Sequence, residues 1–233
     1  MPSIAVCAAL TLEIKPLCQA LDLPIPHAGE PIVMKKGKGE CIAVGVSGVG
    51  RSRMEELIQH FNPHEEYTWL SVGMAGALLP RHKVGDCLIG NKVVTADGEE
   101  LESYYPSFLK ETEIERRLAC NNEVVQGRKD RAELQEKTRA DLVDMESEVV
   151  IRHAMQRREP FAWIKVVSDE VDDYLPKALT QCVDKNGHAS TLAGVKLLIQ
   201  NPLLLPPMAR MGYRSHKTPK RLAEALLALL KQV

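Results

Sequence analysis

The chain has 233 residues, 45% of them hydrophobic, enough for one sizeable core, and its length favours a single domain over 1–233. Thirty Lys and Arg against 31 Asp and Glu leave a formal net charge of -1, so no global field draws the chain to nucleic acid or anionic lipid. A small molecule is the expected partner, and no stretch runs long enough to span a bilayer.

The opening "SIAVCAAL" lacks the basic start of a signal peptide. In chain order, strands are predicted over Ser3 to Ala8, Ile32 to Lys36, Cys41 to Val46, Trp69 to Val72, Asp86 to Val94, Glu123 to Gln126 and Phe161 to Val167. Helices are predicted over Ile14 to Leu21, Arg51 to Phe61, Glu113 to Cys120, Glu148 to Arg157, Leu192 to Gln200 and Pro219 to Lys231. This alternation is the pattern of an α/β fold. The most polar stretch, Gly127 to Asp141, reads as a solvated loop or helix face. Six cysteines, Cys7, Cys18, Cys41, Cys87, Cys120 and Cys182, are scattered without a CxxC and read as buried thiols in a reducing cytoplasm. The seven histidines show no metal-ligand spacing, so neither metal nor cofactor is expected, and His153 reads as structural.

Two glycine corners, "SGVGRS" and "VGMAGALL", each follow a strand, at the sheet edge where open α/β proteins bind ligands. Three carboxylates also fall at strand ends. Pro16 is tolerated only in a first helical turn, so the helix of "AALTLEIKPL" should begin close to Glu13 and hold that carboxylate over the sheet edge. In "VDMESEVV", an extended Val143 to Met145 would put Asp144 and Glu146 on one face and Met145 on the other. A helix starting near Glu146 would offer it free amides; Asp144 reads as an ordinary acidic helix start. The strand Ile164 to Val167 ends in Ser168 and Asp169. Each acid by itself is equally a cap or turn signal; three at strand ends together point to a site.

The succession "GVSGVG", "SVGMAGAL", "VDMES" and "VVSD" resembles the nucleoside phosphorylase and nucleosidase superfamily, and "ALTLEIKPL" resembles the opening of its methylthioadenosine/S-adenosylhomocysteine nucleosidases. "VVSDEVDDYLPKAL" followed by "LLIQNPLLLPPMARM" resembles the hopanoid-associated members, thought to remove adenine from adenosylhopane. The resemblance implies a three-layer α/β/α domain with a central mixed sheet, a purine nucleoside substrate, and a homodimer in the cytoplasm. It implies Asp169 as general acid to purine N7, oriented by Ser168 and kept protonated in a desolvated pocket. Glu146 would hold the ribose hydroxyls with Met145 against the sugar, Glu13 would activate water, and Met74, Ala75 and Gly76 would line the substrate.

An anionic Glu13 beside the sugar repels phosphate and suits water, which favours hydrolysis. Phosphorolysis is the alternative, with Gly48 and Arg51 as the phosphate site and phosphate as co-substrate; Arg51, Arg53 and Arg81 read equally as solvated charges. A non-catalytic nucleoside-binding protein is the third reading, kept open by Met74, which stands where relatives often carry a small hydroxylated residue. Tyr104, Tyr105 and Phe108 are candidates to stack on the base, and equally local core. Leu203, Leu204, Leu205, Pro206, Pro207 and Met208 either pack the terminal helix or line a groove for an apolar 5′ substituent, with which the protein would make peripheral contact.

Overall fold

The structure, a computed structural model, describes residues 3–36, 41–107, 115–175 and 216–231. Within them a ten-stranded mixed sheet is covered on both faces by five helices. The strands are β1 (Ser3–Ala8), β2 (Val33–Lys36), β3 (Cys41–Val46), β4 (Tyr67–Ala77), β5 (Cys87–Gly90), β6 (Lys92–Thr95), β7 (Glu100–Glu102), β8 (Arg117–Cys120), β9 (Leu142–Asp144) and β10 (Phe161–Asp169). The helices are α1 (Thr11–Ala20), α2 (Arg51–Ile58), α3 (Arg128–Thr138), α4 (Ser147–Arg157) and α5 (Thr218–Leu230).

Both faces of β1 are buried, which is why it reads as an unbroken apolar run and not as an alternation. Its Ala5 and Cys7 join the core under α2 and α4, while Ile4, Val6 and Ala8 join the one under α1 and α5. The long β4 organises the sheet. It runs parallel to β1 on one side and to β10 on the other, and its last residues, Gly76 and Ala77, pair antiparallel with β9. The parallel strands β1 and β3 end together beside Ser71 and Val72 of β4, while β4 and β10 run on to Gly76 and Asp169, and these carboxyl ends carry the loops of interest.

Several expectations change. α1 begins at Thr11, so Pro16 lies inside it and not in its first turn. The gain that offsets this is local: Glu13 Oε2 accepts the amides of Ala9 and Leu10 at 3.1 and 2.8 Å and fixes the helix start. Arg117 to Cys120, read as the end of a helix, is a strand, because it fills the slot between β6 and β9 with a parallel partner on each side. Glu123 to Gln126, read as a strand, pairs with none. The run Asp86 to Val94 breaks at Asn91 into β5 and β6, which pair with different neighbours, β10 and β8. The break is packed tightly: a Cβ on Gly90 would lie 2.4 Å from Trp163.

The polar Gly127 to Asp141 stretch holds α3. His153 is structural, its ring edge-on to Trp69 at 4.7 Å with burial holding its pKa down. Cys7, Cys18, Cys41 and Cys120 are buried and Cys87 is exposed, and none of the five is in a disulfide. Among the described residues no cluster could hold a metal, and no helix is long and apolar enough to cross a membrane. The helix predicted over Leu192 to Gln200, the apolar Leu203 to Met208, Phe108 and Cys182 lie outside the described residues.

Candidate active site

Glu13 is almost wholly buried, and backbone surrounds its carboxylate. Besides the two amides of its own helix start, Oε1 accepts the amide of Met74 at 2.8 Å, tying α1 to the carboxyl end of β4. Gly73 makes the approach possible: its φ is +147°, and a Cβ there would stand 2.6 Å from Oε1. Burial pushes the Glu13 pKa up, against the opposing pull of Lys165 and the three amides.

At the end of β9 the chain bends, and Asp144, Met145 and Glu146 all line the same cavity. The two acids divide the work differently from a shared strand face. Asp144 accepts the Ser147 hydroxyl at 2.5 Å and forms a buried ion pair with Lys165 at 2.8 Å. Glu146 instead accepts the amide of Gly50, from the first glycine corner, at 2.8 Å. Lys165 also donates to the Ser71 hydroxyl at 3.1 Å. Burial alone would lower the Lys165 pKa, but Asp144, Glu13 and Glu146 outweigh it and hold it above the ordinary value. One lysine among three buried acids leaves a surplus of negative charge. Burial, with Asp144 close by, accordingly raises the Glu146 pKa from 4.5 to about 7.

The third acid owes its place to a bulge. Val167 pairs with Ala75 but Asp169 pairs with Gly76, so Ser168 is the extra residue in β10. The bulge brings the Ser168 hydroxyl onto Asp169 Oδ1 at 2.6 Å and within 3.3 Å of the Ala75 carbonyl. Asp169 also has a charged neighbour that the sequence did not announce. Arg131, from α3, donates from Nη2 to Asp169 Oδ2 at 2.5 Å in a fully buried ion pair. Its Nη1 donates to the Ala77 carbonyl at 2.9 Å. The pair lies flush against β4, where a Cβ on Gly76 would come 2.7 Å from Asp169 Oδ2 and 3.1 Å from Nη1.

Glu13, Met74, Ala75, Gly76, Met145, Glu146, Ser168 and Asp169 line one cavity of about 190 Å³, with Arg131 beside them. Gly48 and Arg51 do not. The Gly48 amide donates to the Ala9 carbonyl at 2.9 Å, and Arg51 is paired with Glu148 at 2.9 Å and Glu55 at 3.1 Å. Arg53 pairs with Glu56 and Arg81 with Asp141. Tyr104 and Tyr105 are exposed and stand apart from the cavity. Aliphatic Val124, Val125 and Leu175 contribute to its wall, and among the described residues no aromatic does. The Met74 side chain meets α5, its sulfur accepting from the Thr218 hydroxyl at 3.3 Å.

Two charged residues of this site, Lys165 and Arg131, escaped the reading of the sequence. Lys165 was legible as a lone cation inside an otherwise apolar strand, "FAWIKVV". Arg131 left a fainter trace: with Leu134 and Thr138 it falls at helical spacing, the inward stripe of a helix whose other faces are charged.

No family model matches the chain, and no curated protein matches it by sequence. Solved structures do match. A Helicobacter pylori methylthioadenosine/S-adenosylhomocysteine nucleosidase, a mutant with 5′-methylthioadenosine in its active site, superposes with a TM-score of 0.68 at 16% identity, over 100% of both chains. The native futalosine hydrolase of Helicobacter pylori gives 0.69 at 16% identity, over 100% of this chain and 98% of that one. The Campylobacter jejuni methylthioadenosine/S-adenosylhomocysteine nucleosidase gives 0.61 at 21% identity, over 84% and 97%. What this chain shares with these proteins is the fold, a mixed sheet between two helical layers.

Proposed function

We propose that the protein is a purine N-ribosyl hydrolase that releases adenine from a 5′-substituted adenosyl compound. The observation that carries this reading is the convergence of Glu13, Glu146 and Asp169, from three separate strand ends, on one cavity. Cleaving an N-ribosyl bond passes through an oxocarbenium-like sugar and needs an activated nucleophile, a grip on the ribose and a sink for charge on the base. Glu13, raised in pKa by burial, is suited to take a proton from water. Glu146 accepts the ribose hydroxyls, with Met145 against the sugar, and Asp169, oriented by Ser168, faces the base beside Ala75 and Gly76. The fold shared with nucleosidases, one holding 5′-methylthioadenosine, supports the substrate class.

Water, and not phosphate, is the nucleophile in this reading. A phosphate site at the first glycine corner would need free donors. There the Gly48 and Gly50 amides are already bonded to Ala9 and Glu146, and Arg51 to two carboxylates. Incubating the protein with adenosine and methylthioadenosine, with and without phosphate, tests this by chromatography. Free adenine in phosphate-free buffer is the expected result. Phosphate-dependent release with a ribose 1-phosphate product would make it a phosphorylase, and binding without release a non-catalytic nucleoside-binding protein.

The reading extends to a bulky apolar 5′ substituent of the adenosylhopane type, supported by the run Leu203 to Met208. Burying apolar area is worth about 25 cal/mol per Å², so such a substrate should exceed methylthioadenosine in kcat/KM by orders of magnitude. Equal efficiency would leave a general adenosyl nucleosidase. A cytoplasmic homodimer completes the proposal, and light scattering in solution tests the dimer.

A further inference from the structure

Resting on the nucleosidase reading, we infer that Arg131 is a positioning residue for the reaction: without touching substrate itself, its guanidinium clamps Asp169 to the end of β4 and sets the direction from which that carboxyl meets the departing base. The Arg131 side chain is 1% exposed against 7% for Asp169, so whatever it does for the chemistry passes through the acid. The backbone leaves that direction open. Ser168 is the extra residue of a bulge and Asp169 is the last residue of β10, so the ladder that orients side chains along the rest of the strand is interrupted just before the acid. Side-chain hydrogen bonds take over. Oδ1 accepts the Ser168 hydroxyl at 2.6 Å, and Oδ2 accepts Arg131 Nη2 at 2.5 Å. Ser168 is adjacent in the chain and moves with the strand end, whereas Arg131 refers the acid to the sheet, because its Nη1 donates to the Ala77 carbonyl at 2.9 Å.

Ala77 pairs with Leu142 and Gly76 with Val143, so the corner that leads through β9 to Met145 and Glu146 is the one that anchors Asp169. Gly76 removes the slack: a Cβ there would lie 2.7 Å from Asp169 Oδ2 and 3.1 Å from Arg131 Nη1. Stability does not account for the clamp. Apolar side chains in place of a buried ion pair are often neutral or stabilising, because desolvating two charges offsets their attraction. Arg131 Nε also has no hydrogen-bond partner, a further cost of bringing this side chain inside. The gain lies in direction. Asp169 borders the cavity, and a displacement of about 1 Å in a reacting group can lower a rate about a hundredfold.

Two substrates and a double-mutant cycle test the role. The base of methylthioadenosine needs help to depart, whereas 4-nitrophenyl riboside releases a stable phenolate that departs unaided and still needs its water and ribose held. Arg131→Gln keeps an amide donor but loses the charge and the fork. It should lower kcat for methylthioadenosine about ten- to a hundredfold, with KM changing less, and should lose far less on the nitrophenyl riboside. In an Asp169→Asn background the same substitution should cost little more, because the group it positions is already gone. Equal losses on the two substrates, or losses that multiply in the double variant, would make Arg131 a structural residue and overturn the inference; if the parent does not take the riboside, the cycle decides alone. Should Arg131→Gln not fold, Arg131→Lys, which keeps the charge but not the fork, carries the same cycle. Failure of both to fold would place the pair in the fold and overturn the inference as well. A parent that releases no adenine from methylthioadenosine would refute the nucleosidase reading and this inference together, whereas multiplying losses in a parent that does release it refute only the inference.

Discussion

Glu13→Gln is the substitution that couples fold and chemistry. The carboxylate accepts three amides, Ala9 and Leu10 on Oε2 and Met74 on Oε1, at 3.1, 2.8 and 2.8 Å. Glutamine has a single acceptor oxygen. Placed toward Ala9 and Leu10 it keeps the helix start but turns its amino group onto the Met74 amide, donor against donor; placed the other way it loses two bonds. A buried unsatisfied donor costs about 1–3 kcal/mol. Part of this is returned, since burial raises the Glu13 pKa and removing the charge relieves that desolvation. The expected net loss is about 1–2 kcal/mol in urea unfolding, read from the midpoint at constant slope. Turnover should fall by about 10²–10⁴, the usual worth of a general base, with substrate affinity less affected. Adenine release within a few-fold of the parent would remove Glu13 from the chemistry. Parent-like stability would show that the amide cradle contributes nothing, whatever happens to the rate.

Lys165→Met should lose about 3–5 kcal/mol in chemical denaturation, because Asp144 is left as an uncompensated buried charge beside two other acids; adding Asp144→Asn should recover part of it, and no recovery would contradict the pairing. Glu146 binds a proton more tightly when folded, its pKa moving from 4.5 to about 7, so its stabilising contribution is complete below pH 4.5 and is lost as pH rises through 7. At about 1.4 kcal/mol per unit the decline reaches up to about 3 kcal/mol, and it should be absent from pH-dependent unfolding of Glu146→Gln. Ribose hydroxyls prefer the ionised form, so nucleoside binding near pH 7 should release a proton, measured as a buffer-dependent heat; a heat that does not depend on buffer would refute that role. Gly76→Ala should abolish base binding by forcing a Cβ to within 2.7 Å of Asp169, and unchanged turnover would mean that the Arg131–Asp169 pair is dispensable.

What the sequence determined by itself was whatever local pattern settles. The apolar run of β1 and the leucine spacing of α5, where Leu222, Leu226 and Leu229 are buried, fix element types because period and burial coincide. The three acids were legible because each lies at the end of a strand or in the turn that follows it, and strand ends are where such sheets hold ligands. Tertiary structure decided the rest. Arg117 to Cys120 is a strand because a slot between β6 and β9 was open to it, and Glu123 to Gln126, richer in β-branched residues, is not, because no neighbour pairs with it. Glu146 and Asp144 look alike in "VDMES", yet Lys165 claims one and Gly50 the other, from 21 and 96 positions away. Arg131 is the sharpest case: in a stretch of charges its helical spacing with Leu134 and Thr138 is the one local mark, and it does not say what the arginine would meet. Only the tertiary fold, which lays α3 beside β8, brings its side chain to Ala77 at the end of β4 and Asp169 at the end of β10, since a guanidinium is held inside a protein when a carboxylate is there to meet it.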